Sequence, residues 1–410
     1  MVMPSFIRRS VRLAAAGAVL ASLAGCIGAG GPTAALREPP PGTVPDGTVG
    51  EPVVRERGGP TIGAGSVKVA LILPLTAPGQ AATAAVSLRN AAELAMAEFQ
   101  NPDVTILVKD DRGTPEGARE AAQQALAEGA EMIIGPLFAG SVQAAGQVAR
   151  PAGRPVIAFS TDASVATRGV YLLSFLPQSE VDRIVDYATR QGRRSFAALV
   201  PETAYGGVVE AQFREATARR GARVVAIERY APGAAQAAIG RLAPAIAGAA
   251  ATADALFLPE NAEGLAAIGP ALRTAGLDPQ RVKPLGTGVW NEPAVFQIAG
   301  LQGGWYAAPD STGFEAFAGR YRAKFGSDPT RLATLSYDGV SLAAALVRTQ
   351  GSQRFSEGAL TNPSGFAGAD GVFRLRADGT SDRALAVYEI RDGAGAIVSP
   401  APRALGGSAT

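Results

Sequence analysis

From Val67 onward the chain alternates short apolar runs with longer stretches of helical spacing. VKVALIL (67–73), VTILVKD (104–110), EMIIG (131–135), RPVIAFS (154–160) and YLLSFLP (171–177) read as buried strands, each bounded by turn residues. Between the first two, residues 84–99 place Leu88, Ala91, Ala92, Ala95, Met96 and Phe99 on one helical face. Residues 115–129 carry their acids early and stop at Gly129, and 141–149 form a third helix. This order predicts a parallel sheet covered on both faces.

The theme then restarts. Helices over 178–191, 206–220, 234–248 and 261–275 alternate with SFAALV (195–200), ARVVAIERY (222–230), ADALFLP (253–259) and VKPLGTG (282–288). GGWYAAP (303–309), helices near 313–325 and 333–350, and strands GVFRLR (371–376) and ALAVYEI (384–390) follow. The fold class expected is α/β, with two doubly wound parallel-sheet lobes.

The first 66 residues break this pattern. Arg8, Arg9 and Arg12 precede an apolar run from Leu13 to Leu23, a secretory signal too short to span a bilayer. Leu23-Ala24-Gly25-Cys26 resembles the lipobox of bacterial lipoproteins, which implies cleavage before Cys26 and lipidation of its thiol. Residues 1–25 are therefore expected to be a signal peptide. Ile27-Gly28 lack the aspartate that retains some lipoproteins in the inner membrane, which favours the outer one. Residues 27–66 hold ten Gly and seven Pro and cannot bury enough surface to fold, so 26–66 read as a lipidated tether. Residues 399–410 read as a disordered tail.

Composition narrows the chemistry. With 47% hydrophobic and 18% charged residues over 410 positions, the chain is globular and long enough for more than one lobe. Its 38 basic and 36 acidic residues nearly balance, so nucleic acid is not an expected partner. No histidine occurs, which removes Ser-His-Asp and Cys-His catalysis and His-ligated metals. Cys26 is the one cysteine. None of the four lysines (Lys68, Lys109, Lys283, Lys324) completes a Walker A or an S-x-x-K motif, and no G-x-S-x-G elbow occurs. Asp110-Asp111 could serve metal or acid–base work, but reads better as a turn through Arg112-Gly113 into the helix at Pro115. No enzyme activity, cofactor or metal is expected.

Ligands of open α/β sheets meet the loops at the carboxyl ends of strands. Those loops are LTAPGQ (75–80), DDRGTP (110–115), GPLFAGS (135–141), STDAS (160–164), PETAYGG (201–207), PENAEG (259–264) and GTGVWNE (286–292).

VALILPLTAPGQ, NAAELAMAEF, VKDDRGTPEGA, EMIIGPLFAGSV and RPVIAFSTDAS, in this order and spacing, resemble the first lobe of the type 1 periplasmic binding proteins, best known for binding branched-chain amino acids. ALVPETAYGGVVEAQF resembles the opening of their second lobe. The resemblance spans roughly 67–395 and implies two discontinuous lobes around a ligand cleft, joined by three crossings. Lobe one would take 67–176 and 307–352, and lobe two 177–306 and 353–398. It also implies that Ser141, Ser160, Thr161 and Asp162 hold a ligand carboxylate, and that Tyr205 packs on the ligand from lobe two. The same residues could instead cap helices and turns, or pack beside the hinge. Where the family's amino-acid binders carry an acid for the ligand ammonium, this chain has Thr287, Val289 and Trp290, with Glu260 a substitute from the preceding loop. Trp290 and Trp305 could stack on a sugar or simply pack.

The lipobox, the tether, GPLFAGSV, PVIAFSTDASVA, LSYDGVSLAAAL (335–346) and GVFRLRADGTSDRALAVYEI together resemble lipid-anchored penicillin-binding-protein activators. That subgroup resemblance implies a periplasmic regulator of cell-wall synthesis contacting a peptidoglycan synthase. The helical-repeat domain of the better-known activators has no counterpart in 27–66. The alternative is a substrate-binding protein that delivers an amino acid or related small polar solute to an ABC permease.

Overall fold

The computed structural model describes residues 61–231 and 233–405. The signal segment, Cys26 and the tether up to residue 60 lie outside the described residues.

The first sheet collects β1 (Thr61–Ile62), β2 (Val67–Leu73), β3 (Val104–Asp110), β4 (Met132–Ile134), β5 (Val156–Ala158) and β6 (Val170–Leu172) in the order β1-β3-β2-β4-β5-β6. β2 to β6 are parallel, and their near-continuous apolar burial follows from helices on both faces. Those helices are α1 (Gln80–Glu98), α2 (Pro115–Ala127) and α3 (Ala139–Ala149). Thr114 caps α2 by accepting from the Gly117 amide at 3.0 Å, with Pro115 at its first position.

The second sheet follows α4 (Pro177–Arg190). It holds β7 (Ser195–Pro201), β8 (Arg223–Tyr230), β9 (Ala255–Phe257), β10 (Lys283–Gly286) and β11 (Trp305–Ala308). α5 (Ala204–Arg219), α6 (Ala235–Ile246), α7 (Ala262–Thr274) and the short α8 (Pro293–Phe296) connect them. The chain then returns to pack α9 (Ser311–Phe325) and α10 (Ala333–Gln350) against α1. After the one-turn α11 (Glu357–Leu360) comes a small antiparallel sheet of β12 (Phe366–Gly368), β13 (Gly371–Leu375) and β14 (Ser381–Arg383). β15 (Ala386–Arg391) and β16 (Ala394–Ser399) finally join the second sheet antiparallel, giving β16-β15-β11-β10-β9-β7-β8. The chain thus crosses between lobes three times: after β6, after β11 and after β14.

Both sheets are mixed, where the alternation predicted parallel ones. The antiparallel pairings lie at one margin of each sheet, β1 on β3 in the first and β15 with β16 beside β11 in the second, added by segments outside the strand–helix repeat. Lobe one also keeps more chain than expected. Residues 353–383 pack with it, because Leu360, Phe373 and Leu375 complete its core and the Leu172 amide donates to the Gly379 carbonyl. The folded body begins before Val67: β1 pairs with β3, Ile62 enters the core, and Ser66 holds the Asp103 carboxylate through its amide and hydroxyl. Nor is the end a loose tail as far as Leu405. β16 reaches Ser399, the Pro400 carbonyl accepts from Arg183, the Leu405 carbonyl accepts from Arg374, and Ala401 packs on the second core.

Candidate functional site

The carboxyl ends of both parallel sheets carry the candidate residues. In lobe one, Ser141 is the third residue of α3, whose N-cap position is Phe138 and lacks a side-chain cap. Its hydroxyl is buried and makes no hydrogen bond. Beside it lies Asp111, wholly buried, with Oδ1 accepting from the Gly113 amide at 2.8 Å and Oδ2 unpartnered. Burial pushes the Asp111 carboxyl up, the Gly113 amide pulling the other way. Phe138 stands 40% exposed at this helix start and flanks Gly113.

The neighbouring loop is more self-contained. Ser160 is buried and accepts from the Asp162 amide at 3.1 Å. Asp162 accepts from the Ser164 amide at 2.9 Å, capping a short 3-10 turn, and its bonds to Ser164 hold its carboxyl below the usual range. Thr161 is exposed between them.

In lobe two, the Tyr205 hydroxyl and Thr287 Oγ1 lie 2.6 Å apart. Thr203 caps α5 through the Gly206 amide, and the glycine is required because a Cβ there would overlap the Pro201 carbonyl. Thr287 is fully buried. The next residue, Gly288, donates its amide to Glu180 Oε2 at 2.9 Å. Glu180 sits in the first turn of α4, and burial pushes its carboxyl up to about 8, against the pull of the Gly288 amide and the Arg331 guanidinium. The same burial, with Glu180 nearby, pushes the Tyr205 phenol far up. Tyr205 and Thr287, joined through their hydroxyls, and Glu180, joined to the adjacent Gly288, thus form one largely buried hydrogen-bonded group.

Two expected residues fall elsewhere. Trp290 is wholly buried, donates its indole N–H to the Leu258 carbonyl at 3.0 Å and packs beside Tyr306. It closes the core of lobe two and cannot meet a ligand in this conformation. Glu260 accepts from the Tyr230 hydroxyl and from the Asn261 amide. It lines a separate open hollow of about 550 Å³ with Thr203, Tyr230, Asn261 and Ile268. Trp305 is likewise a packing residue, its ring edge-on to Tyr187 and its indole N–H on Glu389. Among the described residues, no hydrogen bond joins the lobe-one loops to those of lobe two.

The sequence reading missed Glu180, Gly288 and Arg331. Glu180 has the form of an ordinary dipole-serving acid early in a helix, and no local signal marks its burial.

These features define a two-lobed α/β protein with hydrogen-bonding loops at the carboxyl ends of its strands. Residues 66–395 match the family described as "Periplasmic binding protein", and the chain belongs to that family of periplasmic proteins. Among solved structures, a protein of Rhodospirillum rubrum described as a branched-chain amino acid ABC transporter superposes with a TM-score of 0.69 at 22% identity, over 81% of this chain and 99% of that one. LivJ, the branched-chain amino acid transporter substrate-binding protein of Streptococcus pneumoniae in complex with isoleucine, gives 0.54 at 20%, over 82% and 99%. A solute-binding protein of an ABC transporter from Rhodopseudomonas palustris, in complex with 3,4-dihydroxybenzoic acid, gives 0.54 at 20%, over 82% and 98%. At these identities the likeness establishes a shared fold. A search of curated proteins finds no significant match.

Proposed function

We propose that this protein is the solute-binding component of an ABC importer and that its lobes close on a small solute bearing a carboxylate. The observation that carries this reading is the uncapped start of α3 with the buried, unpartnered Ser141 hydroxyl. Free helix amides plus a hydroxyl bind an anion without a buried cation. Lobe two supplies no ready counter-charge for an ammonium. Glu180 is buried, which pushes its carboxyl up and disfavours its charge, and is tied to Gly288, and Glu260 is engaged by Tyr230 and Asn261. A simple carboxylic acid therefore fits better than an α-amino acid.

The solute-binding relatives favour this receptor role over regulation of a peptidoglycan synthase. Lipid anchoring at Cys26, on the outer membrane by preference, rests on Leu23-Ala24-Gly25-Cys26 and on Ile27-Gly28. Cys26→Ser should release the protein from the membrane fraction.

The main test is a thermal-shift and calorimetric screen of benzoates, aliphatic acids and branched-chain amino acids. A cognate acid at 100 times its dissociation constant should add roughly 2.7 kcal/mol of stability. Ser141→Ala should weaken its binding by about 1–2 kcal/mol. If amino acids alone bind, the ligand class is wrong. If nothing binds and a membrane pull-down recovers a synthase instead of a permease, the receptor reading falls.

A further inference from the structure

The strand ends opposite the candidate loops carry a second concave surface. Its walls are the last turns of α3 with Gly146, Gln147 and Arg150, the turn at 151–154, and the residues that lead into β5 and β6, Pro155 and Gly169. Phe355, Glu357 and Leu360 close it from the segment after α10. Its volume is about 690 Å³.

Charge and shape are both specific. Arg150, Arg154 and Arg168 line the bowl against a single acid, Glu357, which Arg168 already holds at 2.5 Å. Arg150 and Arg154 are exposed, and among the described residues their side chains have no hydrogen-bond or ion-pair partner. Nearby Arg354, in contrast, is gripped by both oxygens of Glu131. Beneath the arginines the accessible apolar face is that of the half-buried Phe355, backed by the buried Tyr171 and Leu360.

We infer that this bowl docks an acidic segment of a partner protein, with carboxylates on the arginine rim and an aliphatic or aromatic side chain on the floor. Arginine is the side chain suited to bidentate carboxylate recognition and to buried contact positions. The volume is that of several side chains, far more than a phosphate fills. A bilayer presents a flat surface, which meets convex patches and leaves the floor of a bowl untouched. Because Arg150 and Ser141 lie at opposite ends of α3, a partner seated here leaves the ligand loops free. The inference does not depend on the solute-receptor reading.

The test uses the full chain in mild detergent and a fluorescent peptide of glutamates interspersed with leucine, read by anisotropy. The native protein should bind it, more weakly as salt rises. Arg150→Glu with Arg154→Glu should cut affinity at least tenfold, Arg150→Gln with Arg154→Gln should cut it less, and neither should move the melting temperature by more than a degree or two. No binding by the native protein overturns the inference, as does binding that both double variants retain. Loss of binding to phosphatidylglycerol vesicles in the variants, with peptide binding unaltered, would make the surface a membrane contact. Dimerisation of the native chain that the variants abolish would make it a self-interface. Either result also overturns the proposal.

Discussion

The guanidinium of Arg383 lies 3.8 Å from the carboxylate of Asp338, both sealed from solvent, one residue before the chain makes its third crossing between lobes. Its three nitrogens form no hydrogen bond, and its Cζ is 4.8 Å from the ring of Phe175 on the first crossing. Arg331, bound to Asp370 by two bonds, lies 4.5 Å from the same ring. Two cations thus hold one crossing by its aromatic residue. Removing one member of a buried pair leaves the other uncompensated, so at pH 8, above the range in which Asp338 keeps its proton, Arg383→Met or Asp338→Asn should each cost about 3 kcal/mol in urea denaturation. The double variant should cost clearly less than the sum. Strict additivity would show that the two do not interact.

Stability should depend on pH through two buried acids. Burial pushes Asp338 up to about 7 against the pull of Arg383, and Glu180 up to about 8. Both native carboxyls keep a proton that the unfolded chain releases near pH 4, so these groups lower stability as pH rises. The loss should run to about pH 7 for Asp338 and about pH 8 for Glu180. Denaturation midpoints from pH 4 to 9 should therefore fall less steeply in Asp338→Asn below pH 7, and in Glu180→Gln up to pH 8. Slopes identical to the parent's would show that these carboxyls ionise normally.

Tyr205→Phe deletes one end of the bond to Thr287 and strands a hydroxyl that is fully buried. A loss of about 1–2 kcal/mol is expected. Adding Thr287→Val to Tyr205→Phe should cost little more, because the stranded hydroxyl is then gone. A double-mutant cycle with no coupling would remove this pair from the architecture of the site.

Gly288 is fixed by proximity. A Cβ at this position would stand 2.5 Å from Glu180 Oε1. Gly288→Ala should destabilise by about 1–3 kcal/mol, and Glu180→Ala should restore much of that by clearing the space. Equal stability of Gly288→Ala and parent by calorimetry would mean that α4 and this loop sit farther apart.

The repeated strands and helices were legible because each carries a continuous apolar run or a helical stripe. Val67–Leu73 and Ala333–Gln350 match their predicted limits to the residue. What escaped was chain with weak periodicity: β12 and β14 span three residues each, β12 and β16 are only partly buried, and pairing with other strands specifies them. The third crossing was misplaced for that reason. At the candidate site, the resemblance singles out Tyr205 and Thr287 separately, while their mutual bond shows only in the structure. Trp290 shows the opposite failure. An aromatic residue beside a ligand loop looks the same in sequence whether it faces the cleft or the core, and the Leu258 carbonyl decides it.

β1 has a practical bearing on how the body can be handled. Thr61 and Ile62 cover the outer side of β3, pairing with Leu107 and Ile106, and Ile62 enters the core of lobe one. A protein trimmed to begin at residue 66, where the family match starts, would bare that flank's amides and carbonyls. Such a rim invites a strand from a neighbouring molecule, so the trimmed form should be the one that clumps in storage.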